Sequence, residues 1–125
     1  VGCLIVKDTQ IISEGFNGTP AGFDNACEYY NHLDEIHTNP EVLHAESNAI
    51  TKLARSTNSS SESTLYVTLA PCFECSKLVI QAGIKRVVYK NSYKNMGGIA
   101  LLKQANIEIN CIHDYEEPYK EVSCL

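Results

Sequence analysis

"TLYVTLAPCFECSKLVIQAGIKRVVYK", Thr64 to Lys90, decides the fold. Its first part, "TLYVTLA", is rich in β-branched and aromatic residues and reads as a strand. "FECSKLVIQA" then has the apolar spacing of a helix and is stopped by Gly83, after which "IKRVVYK" is a second strand. The alternation continues downstream, with "GIALLKQA" as a helix and "IEINCI" as a strand. Strand, helix, strand, helix, strand implies crossover units and a largely parallel sheet. Upstream, "VGCLIVKD" and "QIISEGF" flank a polar turn around Asp8 and Thr9, so they form an antiparallel hairpin that joins the sheet at its edge. The expected fold class is therefore α/β: a three-layer α/β/α sandwich with helices on both faces of a five-stranded mixed sheet. Two connections stand out. Asn17 to about Val42 is a long irregular stretch rich in Gly, Asn, Asp and Pro, of the kind that tends to be functional or partly mobile. Ala45 to Arg55 reads as a helix, ended by the flexible polar linker "STNSSSES".

The 125 residues, 44% apolar and 20% charged, fit a single domain spanning 1–125, with a polar tail from about residue 113. The sequence opens inside a strand and without Met, so a preceding segment is expected to be missing. No apolar run approaches the roughly 18 residues of a membrane span, and no leader pattern is present. The expectation is a soluble cytoplasmic protein with no membrane partner. A net charge of -5 argues against a polynucleotide partner, although a local basic pocket could hold one phosphate. Six cysteines in a chain long enough to do without disulfides, two of them in a CxxC, favour metal or redox chemistry in a reducing compartment.

"APCFEC", Ala70 to Cys75, lies where a strand gives way to a helix, so Cys72 and Cys75 share one face of a first turn and can grip one ion. The third ligand comes from "VLHAESNAI", Val42 to Ile50, where His44 and Glu46 stand at another helix start. Zinc takes thiolate and imidazole ligands in a tetrahedron, and a catalytic site keeps its fourth position open to water. Redox disulfide chemistry and structural zinc are the rivals. A redox pair has no need of HisxGlu, and a closed structural site would want a fourth Cys or His. Residues two apart in mid-helix point to opposite sides; with the ion off the helix end, His44 can ligate it while Glu46 reaches its water. Two helix N-termini then converge, and their positive ends are expected to favour the thiolates.

HxE followed by PCxxC resembles the signature of the zinc-dependent cytidine and deoxycytidylate deaminases. "GFNGTPAGF", "HAESNAI", "YVTLAPCFECSKLVIQAGIKRVVY" and the later "SYK" are similar to deoxycytidylate (dCMP) deaminases in particular, from Val1 to about Ile112. The resemblance implies a cytidine deaminase-like fold and hydrolysis of dCMP to dUMP and ammonia, which supplies dUMP for thymidylate synthesis. It implies Zn²⁺ on His44, Cys72 and Cys75, with Glu46 as the proton carrier for attack of water on C4. It also implies substrate contacts from Asn17, Ala45 and Tyr93. A homo-oligomer, suspected to be a hexamer, follows from the same likeness. Regulated relatives carry Gly-Tyr-Asn-Gly where this chain has Gly15, Phe16, Asn17 and Gly18; binding of dCTP or dTTP there, with Mg²⁺, is implied only so far as the missing Tyr hydroxyl is dispensable.

Each of these residues has a plainer reading. Asn17 tolerates left-handed turn geometry, Glu46 favours a helix start through the dipole, and Tyr93 could simply cover the core. Lys90 and Lys94 could meet a 5′-phosphate but are more simply solvated. Arg55 could contact a second subunit or just complement a helix end. Cys27, His32 and His37 suggest a second metal site, yet their spacing fits no standard zinc pattern. Cys3 and Cys111 read as core, and Cys124 as part of the tail. Competing functions are a deaminase of tRNA adenosine, guanine, cytidine or a riboflavin precursor, or a non-catalytic zinc-binding assembly module. Retention of Glu46 speaks against the last.

Overall fold

The computed structural model describes residues 1–112. A five-stranded mixed sheet has the order β2-β1-β5-β6-β7. β1 (Gly2–Lys7) and β2 (Gln10–Phe16) form the antiparallel edge. Their two turn residues, Asp8 and Thr9, both have positive φ, at 51° and 64°. That pair of values matches the twist of the flanking strands, and only a tight hairpin makes it worthwhile for a β-branched Thr. β5 (Thr64–Leu69) pairs antiparallel with β1 and parallel with β6 (Arg86–Asn91), which pairs parallel with β7 (Glu108–Cys111).

Three helices cross between these strands: α1 (Ala45–Leu53), α2 (Phe73–Gln81) and α3 (Gly97–Gln104). α1 ends at Leu53, two residues before the expected Arg55, because the chain tightens there into turns that the carbonyls of Thr51, Lys52 and Leu53 accept. Gly83 follows the α2 C-cap with φ of 78°, as its position in the sequence predicts.

The core lies on one face of the sheet. Strand pairing lines up Cys3, Val67, Tyr89 and Cys111 in one row and Ile5, Leu65, Val87 and Ile109 in the next. Ala45, Ala49 and Leu53 of α1, Val79 of α2, and Ile99 and Leu102 of α3 close over these rows. Residues between the rows, such as Leu4, Tyr66 and Val88, point to the opposite face. The five-stranded sheet and its helices are the expected α/β fold, and residues 1–112 supply the helical layer of the metal-site face alone. Gly15 explains how closely that layer sits: a Cβ there would lie 2.2 Å from the Ala45 carbonyl oxygen.

The stretch from Asn17 to Val42 is less irregular than its composition suggests. It holds a second, two-stranded sheet of β3 (Glu28–Tyr30) and β4 (Ile36–Thr38). Both strands are only three residues long and exposed throughout, so no burial pattern announces them. The tail from 113, with Cys124, lies outside the described residues.

Candidate metal centre

Two helix starts meet at the site. Position N-cap is normally taken by Ser, Thr, Asp or Asn, whose oxygen accepts a free helix N–H. Here His44 caps α1 and Cys72 caps α2. Cys72 Sγ accepts from the Cys75 N–H at 3.5 Å, whereas His44 makes no capping bond through its side chain. The imidazole is turned to the cysteines instead: its Nδ1 lies 3.5 Å from Cys72 Sγ and 3.3 Å from Cys75 Sγ. A tetrahedral zinc, with bonds of about 2.05 Å to nitrogen and about 2.3 Å to sulfur, spaces those atoms about 3.6 Å apart. The donor set therefore fits one small, thiophilic ion. Among the described residues it is the group of three such donors that comes together; Cys27, His32 and His37 do not. His37 is instead stacked on Tyr29 and 3.0 Å from the Asn31 amide nitrogen.

Glu46 is buried beside the triad. Loss of hydration raises its pKa above the usual carboxylate value of 4.5, against smaller opposing effects of its own backbone N–H and of His44. Burial also raises the Cys75 thiol, helped by Glu46 and by the neighbouring Cys72. The helix ends are expected to favour thiolates at a bound cation; without one, burial holds Cys75 as the thiol. A dipole contributes about half a charge at the helix end, too little to offset removal of a thiolate from water. A cation is needed, and a coordinated thiol is deprotonated outright.

The side chains open onto a cavity of about 180 Å³ lined by Val1, Asn17, His44, Glu46, Leu69, Ala70, Cys72 and Tyr93. Asn17 and Tyr93, both named in the sequence reading, are among the lining residues. Lys90 and Lys94 do not line the cavity. Ala45 is fully buried, and its N–H donates to Asn17 Oδ1 at 3.0 Å. Asn17, just past the end of β2, therefore supplies the cap that His44 does not. With Oδ1 so engaged, its Nδ2 is left as a donor for whatever enters the cavity. Gly18 and Leu43 exchange two backbone hydrogen bonds, of 3.1 and 2.8 Å, beside it. Asn48, a residue the sequence reading passed over, donates from Nδ2 to the Phe16 carbonyl at 3.0 Å and fastens the other side. An Asn inside a helix, one turn after His44, was the available signal, since Asn is a poor helix former. Leu69 and Ala70, also passed over, form the apolar wall.

Sheet, converging helix ends and an open His–Cys–Cys triad beside a buried carboxylate define an α/β protein built to hold one metal ion. Residues 1–91 match the cytidine and deoxycytidylate deaminase zinc-binding region, and the chain belongs to that family. It is 37% identical over 125 residues to the deoxycytidylate deaminase of Saccharomyces cerevisiae, covering 94% of this chain and 39% of that protein. It is 33% identical over 148 residues to the deoxycytidylate deaminase of Enterobacteria phage T4, covering 87% of this chain and 77% of the phage protein. Among solved structures, the dCMP deaminase of cyanophage S-TIM5 in complex with dCMP and dUMP superimposes with a TM-score of 0.80 at 44% identity, covering 88% of this chain and 79% of that one.

Proposed function

We propose that this protein hydrolyses dCMP to dUMP and ammonia. The observation that carries the reading is Glu46, buried at the wall of a cavity it shares with His44 and Cys72, in a chain similar to an enzyme solved with dCMP and dUMP. His44, Cys72 and Cys75 would hold zinc, which when bound supplies a Lewis acid that makes water acidic near neutral pH. Glu46 does the proton work. Its carboxylate takes a proton from the attacking water and delivers it to N3 of the cytosine as C4 is attacked; it then takes the hydroxyl proton of the C4 adduct and hands it to the amino group, which leaves as ammonia as the C4 carbonyl forms.

The cavity supports a one-ring base: about 180 Å³ is little more than the roughly 150 Å³ that accommodates benzene, so the sugar and phosphate must project outward. Asn17 Nδ2 stands at the wall as a donor for the sugar, and Tyr93 lines the cavity as a second substrate contact. Assembly as a homo-oligomer, a cytoplasmic location and control by dCTP or dTTP with Mg²⁺ belong to the same proposal and rest on the family likeness. Of the three residues suggested for control, Gly15 is packed under α1, leaving Phe16 and Gly18 as the accessible ones. The test is direct. Protein reconstituted with zinc should release ammonia from dCMP at least about 100-fold faster than from deoxycytidine or CMP. Preference for guanine, cytidine, tRNA adenosine or a riboflavin precursor would overturn the substrate. Zinc binding with no ammonia from any of them would make the domain an assembly module.

A further inference from the structure

α3 supplies no side chain to the donor triad, yet it touches the turn that carries two of the three ligands. The point of contact is Gly98, buried in the first turn of α3. A Cβ on Gly98 would stand 2.3 Å from the Pro71 carbonyl oxygen, 2.8 Å from the Cys72 carbonyl carbon and 2.7 Å from Ser76 Oγ. The first two are backbone atoms, which cannot swing aside as the end of a side chain can. Pro71 and Ser76 are themselves fully buried, so the turn has no free space behind it. Ser76 Oγ lies in this crowded spot with no hydrogen-bond partner among the described residues. A buried hydroxyl left unpaired is costly, which marks close approach of α2 and α3 as the feature being kept.

The consequence for the metal centre follows from which elements hold the ligands. Cys72 and Cys75 ride on the turn and α2, whereas His44 rides on α1. Moving the Pro71–Cys72 turn therefore changes the distance between sulfurs and imidazole without any ligand being altered. We propose that Gly98 is a positioning residue for the metal: the missing side chain lets α3 act as a backstop that sets the two thiols at the right distance from His44. This rests on the donor triad binding a metal ion and not on which substrate is deaminated.

The experiment uses full-length protein loaded with Co²⁺, whose visible bands report tetrahedral geometry and thiolate ligation, and follows metal release to a chelator. Gly98→Ala should shift the bands and speed release at least ten-fold. Ala100→Gly, at an exposed position of the same helix, weakens α3 without adding an atom against the turn. It should lower Tm while leaving bands and release within two-fold of the parent. Ser76→Thr, whose added methyl must fit between α2 and α3, loads the same contact more gently and should speed release several-fold. Wild-type bands and release in Gly98→Ala overturn the proposal, as does release from Ala100→Gly speeded as much as from Gly98→Ala at a comparable fall in Tm. If Gly98→Ala does not fold, Ser76→Thr decides alone: folded protein with wild-type release reduces the contact to packing. Failure of the parent itself to bind Co²⁺ would instead remove the metal site on which both readings stand.

Discussion

The metal grip and the excursion from Asn17 to Val42 are neighbours, joined by the Gly18–Leu43 pairing next to His44, yet they are built by opposite rules. The grip takes its parts from the core. Ala45, Glu46, Pro71 and Cys75 are all buried, and Ala45, Ala70 and Val79 pack in the same cluster as the central strands. The excursion turns Phe23, Tyr30, Leu33 and Ile36 to the surface and holds its two short strands by their own pairing. A site assembled from core elements is fixed to within fractions of an ångström by everything packed behind it. A surface hairpin has only its own hydrogen bonds to fix it. Asn17 stands at the boundary, where the outer segment reaches back to cap α1.

This contrast can be broken most severely at the grip. Cys75→Ala should abolish stoichiometric zinc binding and with it all ammonia release, since a two-ligand site is left on a buried surface. Metal analysis after dialysis checks it; a variant that keeps one zinc per chain would mean that the triad is not the site. Because burial holds Cys75 as a thiol until a cation arrives, loading should also release protons, seen as buffer-dependent heats in calorimetry. Glu46→Gln comes next. It should keep zinc and lose about 10³-fold in kcat, the usual loss when a positioned proton carrier is removed.

The same residue sharpens the comparison through pH. In metal-free protein, burial raises the Glu46 pKa above 4.5, so the folded state keeps its proton where the unfolded chain has given it up. The unfolded state then binds fewer protons, and stability falls as pH climbs from the ordinary carboxylate value through the raised one. The contribution is complete below that lower value and gone above the upper. Glu46→Gln should flatten this slope: more stable than the parent in chelator at pH 8, and equal to it near pH 4, by thermal unfolding. Parallel curves across that range would show that the carboxyl is not buried in the metal-free protein. Asn17→Ala ranks below these. Loss of the α1 cap should cost about 1 kcal/mol, and loss of the cavity donor should raise KM about ten-fold with a smaller change in kcat. An unchanged Tm would show that the Ala45 N–H finds another acceptor.

What could be read from the sequence follows the same division. "PCFEC" and "HAE" are legible because metal ligation needs given atoms at given spacings, and crossover topology is legible because strand and helix periods differ. Asn48, Gly98 and the Asn17 cap are not, because each acts through a contact 20 to 30 residues away or more, and nothing local to Gly98 distinguishes it from Gly97. β3 and β4 are illegible for another reason. With Glu28, Tyr29, Tyr30, Ile36, His37 and Thr38 all exposed, they have no apolar alternation to announce a strand. The raised thiol of Cys75 is invisible for a third: its position in a first helical turn argues for a lowered pKa, and burial, with Glu46 and Cys72 beside it, reverses the sign.

The smallest effect is expected where the excursion is farthest from the grip. Tyr30 is the most exposed of the large apolar residues among the described residues, and Leu33 occupies the turn beyond it. Replacing either with Ser removes little buried surface, so each should change stability by less than about 0.5 kcal/mol and leave metal binding unchanged. Turnover of dCMP is the informative readout. If the hairpin serves only to carry the chain from Asn17 to His44, turnover will hold at the parental value. A fall of ten-fold or more at constant Tm and zinc content would show that these side chains meet something the isolated chain does not provide, and the rule that separates the two regions would then be one of partners rather than of burial.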